Sequence, residues 1–263
     1  MADFRDESVV LRLRAAGCVF AEDEARLLIE AAGTPAELAD LVDRRVAGLP
    51  LEQILGWVEF CGLRLALDPG VFVPRRRTEF LVQCAVPLAR AGSVVVDLCC
   101  GCGALGAALA TVVPGVEVHA ADLDPAAVAC ARRNLTAVGG QVYCGDLFAP
   151  LPATLRGRID VLTANVPYVP TGEIALMPPE ARVHEPRLAL DGGPDGLDVA
   201  RRVTAGAPEW LAPGGALLFE TSEEQAPAAV AAVAAAGLAA RVVTDDDRGA
   251  TVVVGARPGP ARP

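Results

Sequence analysis

Asn165-Val166-Pro167-Tyr168 follows the apolar run Ile159 to Ala164, and its residue types could hold a planar nitrogen at the end of a strand. An amide oxygen accepts from an N–H, a proline biases the residue before it to extended backbone, and an aromatic ring covers a flat group. The same four residues also make an ordinary strand-to-loop turn, because Asn and Pro are common turn formers. Other stretches must decide between the two readings.

Val94-Val95-Val96 reads as a short buried strand leading into Asp97-Leu98-Cys99-Cys100-Gly101-Cys102-Gly103-Ala104-Leu105-Gly106 and a helix running toward Val113. Glycines in such a turn let the backbone pass close under a ligand and expose the first N–H groups of the helix. A second strand, Val116 to Ala121, ends at Asp122, 19 positions beyond Gly103. A nucleotide-binding α/β fold puts a carboxylate there to accept from both ribose hydroxyls. After a strand at Gln141 to Cys144, Asp146 is placed to accept from an adenine amino group, with Leu147 or Phe148 on the face of the ring. Ligands of open α/β sheets sit beyond the carboxyl ends of the strands, so loops 97–106, 122–124, 146–148 and 165–168 are expected to converge on one crevice.

The elements that must position these loops are legible along the chain. Residues 1–50 read as helical: Leu27, Leu28 and Ile29 fall in one apolar turn of 22–32, and Thr34-Pro35-Ala36-Glu37 is a helix start with the residues of a capping box. Leu38, Leu41, Val42 and Val46 give that helix an apolar face, for stabilising the main domain or docking a substrate. From Leu51 to Val73 the period changes, and Val58, Phe60, Leu63, Leu65 and Leu67 around Cys61-Gly62 predict a β-hairpin. Pro74-Arg75-Arg76-Arg77-Thr78-Glu79 then leads into a helix. Its three Arg are either a solvated face or a site for an anion such as a ligand carboxylate, with Arg75, Thr78 and Glu79 as the candidate contacts. Toward the C-terminus a helix at Leu197 to Ala205, a strand at Ala216 to Glu220, a helix at Glu223 to Ala235 and strands at Ala240 to Thr244 and Thr251 to Gly255 complete an α/β pattern.

Composition narrows the function. The chain has 263 residues, enough to bury roughly 70 to 75 % of its unfolded surface. All 23 basic residues are Arg, which reflects overall composition more than function, whereas the formal charge of −10 opposes loose, phosphate-driven binding to nucleic acid. The eight Cys are expected to be reduced thiols, since no signal peptide is evident and the Cys99/Cys102 pair lacks a second CxxC or a nearby His. No metal is expected. Charges or Pro interrupt every apolar run before it reaches a membrane span, so a soluble, cytoplasmic protein is expected.

In sum these residues resemble the S-adenosylmethionine-dependent protein-glutamine methyltransferases of the HemK/PrmC type, over nearly the whole chain. The resemblance rests on Arg44-Arg45 with Gly48 and Pro50 to Gly56, on Pro74-Arg75 with Thr78-Glu79, and on the glycine loop. It continues through Asp122, Asp146 to Phe148, Asn165 to Tyr168, Glu185-Pro186 with Ala189-Leu190, Gly193 with Asp195 to Leu197, and Glu220 with Gln225. It implies an α/β fold, a seven-stranded Rossmann-like class I methyltransferase sheet at 76–263, with an N-terminal helical substrate-docking module at 1–50 and a linking β-hairpin at 51–75. The implied donor is S-adenosylmethionine, leaving S-adenosylhomocysteine, held by Asp97, Cys99, Gly101, Gly103, Asp122, Asp146, Leu147, Phe148 and Asn165. The implied acceptor is the side-chain amide nitrogen of a glutamine, in a Gly-Gly-Gln loop of a peptide-chain release factor or in a ribosomal protein. Asn165 and the Val166 carbonyl would accept from that nitrogen, with Pro167 shaping the turn and Tyr168 stacking on the amide. A monomer acting without nucleic acid or membrane is expected.

The sequence departs from the family in three places. Val166 stands where the family has the first Pro of Asn-Pro-Pro-Tyr, Cys99 stands where it has the first glycine of the cofactor loop, and the helical module is short. Two alternatives stay open: a methyltransferase acting on a nucleic-acid base or another protein, and a cofactor-binding interaction protein without catalysis.

Overall fold

The computed structural model describes residues 4–259. Three helices open it, α1 (Phe4–Ala15), α2 (Ala21–Ala31) and α3 (Pro35–Val46). α3 begins as its residues dictate. Thr34 Oγ1 accepts from the Glu37 N–H at 3.2 Å, the Glu37 carboxylate accepts from the Thr34 N–H at 3.1 Å, and Pro35 fills the first helical position, where no N–H is needed. Leu13, Leu28 and Val42 form a small core with Ile54 of α4 (Leu51–Leu55). Leu38 and Leu41 pack on it, whereas Val46 is exposed. Beside this core lies a buried ion pair, with Arg45 donating to both oxygens of Glu24 at 2.6 and 3.2 Å.

The hairpin is β1 (Trp57–Phe60) and β2 (Leu63–Ala66), antiparallel. It starts later than the alternation from Leu51 predicts, because residues 51–55 are the helix α4. Cys61 and Gly62 have φ of 50° and 73°, the two positive values of a type I′ turn, whose twist suits the flanking strands.

The remainder runs α5 (Glu79–Ala85), β3 (Val94–Leu98), α6 (Ala104–Val112), β4 (Glu117–Asp122), α7 (Pro125–Leu135), β5 (Gln141–Cys144), β6 (Ile159–Ala164) and α8 (Pro179–His184). It ends with α9 (Asp198–Trp210), β7 (Leu211–Thr221), α10 (Ala226–Ala235), β8 (Ala239–Asp245) and β9 (Ala250–Ala256). The seven-stranded sheet has the order β5-β4-β3-β6-β7-β9-β8, with β9 antiparallel to both its neighbours and the other pairs parallel. From β3 the chain steps outward through β4 to β5, then returns to lay β6 on the other side of β3. That reversal opens a crevice at the carboxyl ends of β3 and β6.

Side chains alternate across the sheet. Val95 and Val118 meet α5, α6, α7 and the hairpin on one face, with Leu67, Leu109 and Leu135 in the same core. Val96, Leu162 and Phe219 meet α9 and α10 on the other, with Val203, Trp210 and Val233. The hairpin thus belongs to the main core. α9 continues past Ala205 through Pro208, because Ala207 and Trp210 are buried in that second core; tertiary burial overrides a Gly-Ala-Pro stretch that reads as a stop. β7 likewise begins at Leu211, before Gly214-Gly215, with its register shifted opposite Ile159 and Val161. Among the described residues no helix is long and apolar enough to cross a membrane.

Candidate active site

At the carboxyl ends of β3, β4 and β6 the loops enclose a crevice of about 1120 Å³ including its open mouth. Cys99 and Gly101 from the β3 loop, Asp122 from β4, Asp146 and Leu147 after β5, and Asn165 and Pro167 after β6 all line it. The four loops converge as their positions at strand ends require.

The floor is the turn from β3 into α6. Gly101 and Gly103 have φ of 55° and 80°, the left-handed region that glycine enters without penalty. Cys99 is there too, with φ of 54°. An L-residue with a Cβ is strained in that conformation by about 1–2 kcal/mol. Cys99→Gly is therefore expected to raise stability by about 0.5–1 kcal/mol in a denaturant titration. A loss of similar size would mean that the packing of the thiol outweighs the backbone strain.

Asp122 is fixed from below. Its Oδ2 accepts from the Gly101 N–H and its Oδ1 from the Asp124 N–H, at 2.8 and 2.9 Å. Burial raises its pKa, and the two N–H donors oppose that shift. Each carboxylate oxygen keeps a further lone-pair direction for a ligand. Asp124 itself caps α7 through the Ala126 N–H at 2.8 Å.

Several residues expected at the cofactor lie elsewhere. Asp97 has no exposed surface; it sits one layer beneath the loop, accepting from the Gly106 N–H at 3.3 Å and from the Thr163 hydroxyl at 3.2 Å. Burial pushes its carboxyl up to about 7, so Asp97 ties α6 to β6 and makes no wall of the crevice. Gly103 is the N-cap of α6 and faces away, where a Cβ would meet Ala131 and Leu135 at 3.2 Å. Of Leu147 and Phe148 only Leu147 lines the crevice: with φ of 48° at Leu147 the chain turns, and Phe148 stacks on Trp210 at 5.5 Å between ring centroids. Asp146 reaches the crevice with one oxygen engaged by Arg202 at 2.5 Å.

Two of the three adjacent Arg are accounted for by internal carboxylates. Arg75 donates to Glu185 at 2.5 Å, Arg77 to Glu220 at 2.8 Å, and Glu79 accepts from the Cys61 N–H at 2.9 Å, which closes the hairpin turn. Thr78 lines the crevice, but its hydroxyl donates to Glu220 at 2.6 Å.

The Asn165 side chain is half-buried at the crevice and pairs with no group among the described residues. Of its neighbours, Tyr168 departs from the expected arrangement. Val166 is buried in the second core, and Tyr168 faces a separate recess with Arg77 and Glu220, its hydroxyl donating to Glu220 at 2.9 Å. Burial, then the charge of Glu220, pushes the Tyr168 phenol up, so it remains a donor. Two aromatic side chains share the crevice with Asn165 and Pro167: Phe60, which is almost fully buried, and the more exposed Phe72, with the Arg75 guanidinium 4.8 Å from the Phe72 ring centroid. Sequence reading passed over Phe72, which sits one residue beyond a buried Val71 and reads as hairpin core. Arg202 was also passed over, since it belongs to a helix whose approach to the crevice depends on the tertiary fold.

Residues 62–190 match the methyltransferase small domain. A release factor glutamine methyltransferase of Geobacter sulfurreducens is 40% identical over 86% of this chain and 80% of its own length. A 4-amino-L-phenylalanine/4-methylamino-L-phenylalanine methyltransferase of Streptomyces pristinaespiralis is 39% identical, over 70% of this chain and 65% of its own. A methyltransferase from Pyrococcus furiosus shares the fold at a TM-score of 0.57 and 15% identity, covering 84% of this chain and 99% of that one. With the glycine turn, the strand-end acid and the Asn165 loop on one crevice, and with that extent of identity to the Geobacter sulfurreducens enzyme, the chain belongs to the release factor glutamine methyltransferase family.

Proposed function

We propose that this protein transfers a methyl group from S-adenosylmethionine to the side-chain amide nitrogen of a glutamine in a peptide-chain release factor. The observation that carries the reading is the unpaired Asn165 carboxamide, at a crevice floored by the glycine turn and Asp122. The residues fit the donor. Asp122 keeps lone pairs for two ribose hydroxyls, the backbone at Gly101 allows close approach, and Leu147 with Val199 gives apolar surface for a purine. When bound, S-adenosylmethionine supplies an electrophilic methyl on a sulfonium.

The protein's part is to hold a poor nucleophile in line. An amide nitrogen is weakly nucleophilic because its lone pair is delocalised into the carbonyl, so orientation carries much of the catalysis. Asn165 Oδ1 accepts from one N–H of the acceptor amide, and the Val166 carbonyl accepts from the other. Both dipoles favour the positive charge that develops on nitrogen during attack. With Tyr168 held elsewhere by Glu220, Phe72 and Pro167 are the flat surfaces that cover the acceptor and exclude water. No general base is needed, because methylation makes the nitrogen acidic and its proton leaves to solvent.

The name of the Streptomyces pristinaespiralis relative gives the competing reading, an arylamine of a free amino acid as acceptor. Labelled-methyl transfer into purified release factor, with the mark located by mass spectrometry, tests the proposal. Incorporation at the glutamine of the Gly-Gly-Gln loop is expected. Transfer to 4-amino-phenylalanine with none to release factor would overturn it.

A further inference from the structure

The side chain that organises the acceptor loop from behind is Glu220, at the end of β7. It is 2% exposed, yet its carboxylate accepts from three side chains of two distant segments. Oε2 accepts from the Thr78 hydroxyl at 2.6 Å; Oε1 accepts from Arg77 Nε at 2.8 Å and from the Tyr168 hydroxyl at 2.9 Å. Arg77 also donates directly to the Tyr168 oxygen. A carboxylate buried this deeply is costly unless paired and hydrogen-bonded, and here every contact goes either to the 77–78 turn or to the acceptor loop.

A second hold lies five residues on. Gln225 Nε2 donates to the Tyr168 carbonyl at 2.8 Å and to the Asp195 carbonyl at 2.9 Å. Gln225 Oε1 is fixed in turn by the Thr221 hydroxyl at 3.0 Å and by the Ser222 N–H at 3.2 Å. Space behind the loop is tight as well: a Cβ on Gly196 would stand 2.2 Å from both the Tyr168 carbonyl and Gln225 Nε2. Tyr168 is thus gripped at its hydroxyl by Glu220 and at its backbone by Gln225. Asn165, three residues earlier, has no partner among the described residues to orient it.

We propose that Glu220 is a positioning residue for methyl transfer: by fixing the Tyr168 hydroxyl it sets the 165–168 loop, and so the direction in which Asn165 and the Val166 carbonyl face the acceptor. This rests on the function proposed above. Glu220 touches neither donor nor acceptor, and acts through Tyr168. Its effect appears in the chemical step, since a misplacement of about 1 Å at a reacting group costs on the order of 100-fold.

Two variants test this, Glu220→Gln, which keeps the shape and removes the charge, and Tyr168→Phe, which removes one hydroxyl. Each is expected to lower the single-turnover rate about 10- to 30-fold at saturating donor while the donor Kd stays within about twofold. The double variant is expected to be no slower than Glu220→Gln alone, because both changes break the same contact. Unchanged rates, or losses that multiply in the double variant, would overturn the proposal. Hydrogen exchange of the peptide covering 163–171 gives a readout that needs no acceptor. Faster exchange in both variants is expected, and unchanged exchange overturns the clamp even if the wild-type protein proves inactive on release factor, which would instead sink the assigned acceptor.

Discussion

Asn165→Ala is expected to lower the methyl-transfer rate by at least ~100-fold, the order seen when one preorganised polar partner of a developing charge is removed. Donor affinity is expected to stay within about threefold, because Asp122, the proposed ribose partner, and the glycine turn are untouched. The position makes this a clean experiment. Since the Asn165 carboxamide pairs with no described residue, truncation breaks no internal hydrogen bond, and stability should shift by no more than about 0.5 kcal/mol. Rate and fold are therefore separable at this residue. Single-turnover kinetics with calorimetric donor binding is the measurement. Wild-type turnover by the Ala variant would remove Asn165 from the chemistry and leave the loop as a turn.

Much of this crevice is legible in the sequence, for a physical reason. In a parallel sheet ligands gather at the carboxyl ends of the strands, so a residue known to end a strand is already placed in space. Asp122 and Asn165 are placed at the crevice that way, and the capping box at Thr34 marks the start of α3 from four residues. What the sequence could not show is which way a side chain turns within a loop. Asp97 and Phe148 adjoin crevice residues in the chain, yet one lies under the turn and the other stacks on Trp210, a partner 62 positions away. Tyr168 is the instructive case. Its hydroxyl is claimed by Glu220, 52 residues later, and the aromatic side chains that line the crevice are Phe60 and Phe72, the latter 96 residues earlier. The Arg run left a solvated face and an anion site both open for the same reason: the anions that meet Arg75 and Arg77 are Glu185 and Glu220 of the protein itself, 110 and 143 residues away.

Asp122→Ala separates binding from chemistry in the opposite direction. Two hydrogen bonds to a charged acceptor, at about 1.5–3 kcal/mol each, correspond to a rise in donor Kd of ~100-fold or more. At saturating donor the chemical rate should fall much less, since on the proposed function the acceptor is held by the 165–168 loop. One complication is visible in the geometry: Asp122 also fastens the turn through the Gly101 N–H, so Ala loosens the floor of the crevice as well as removing the ribose partner. Asp122→Asn resolves it, because its side-chain oxygen can still accept from one N–H while its NH₂ cannot accept from a hydroxyl. If ribose recognition dominates, Asn weakens binding nearly as much as Ala; if the turn dominates, Asn stays close to wild type. The pH dependence adds an independent check. Burial raises the pKa of Asp122, so its charge is lost on acidification at a higher pH than in an exposed aspartate, and donor affinity in the wild type should fall through that range. The Asn variant has no such group and should show a flat profile there; a wild-type affinity that ignores acidification would argue that the carboxylate charge is not what holds the ribose.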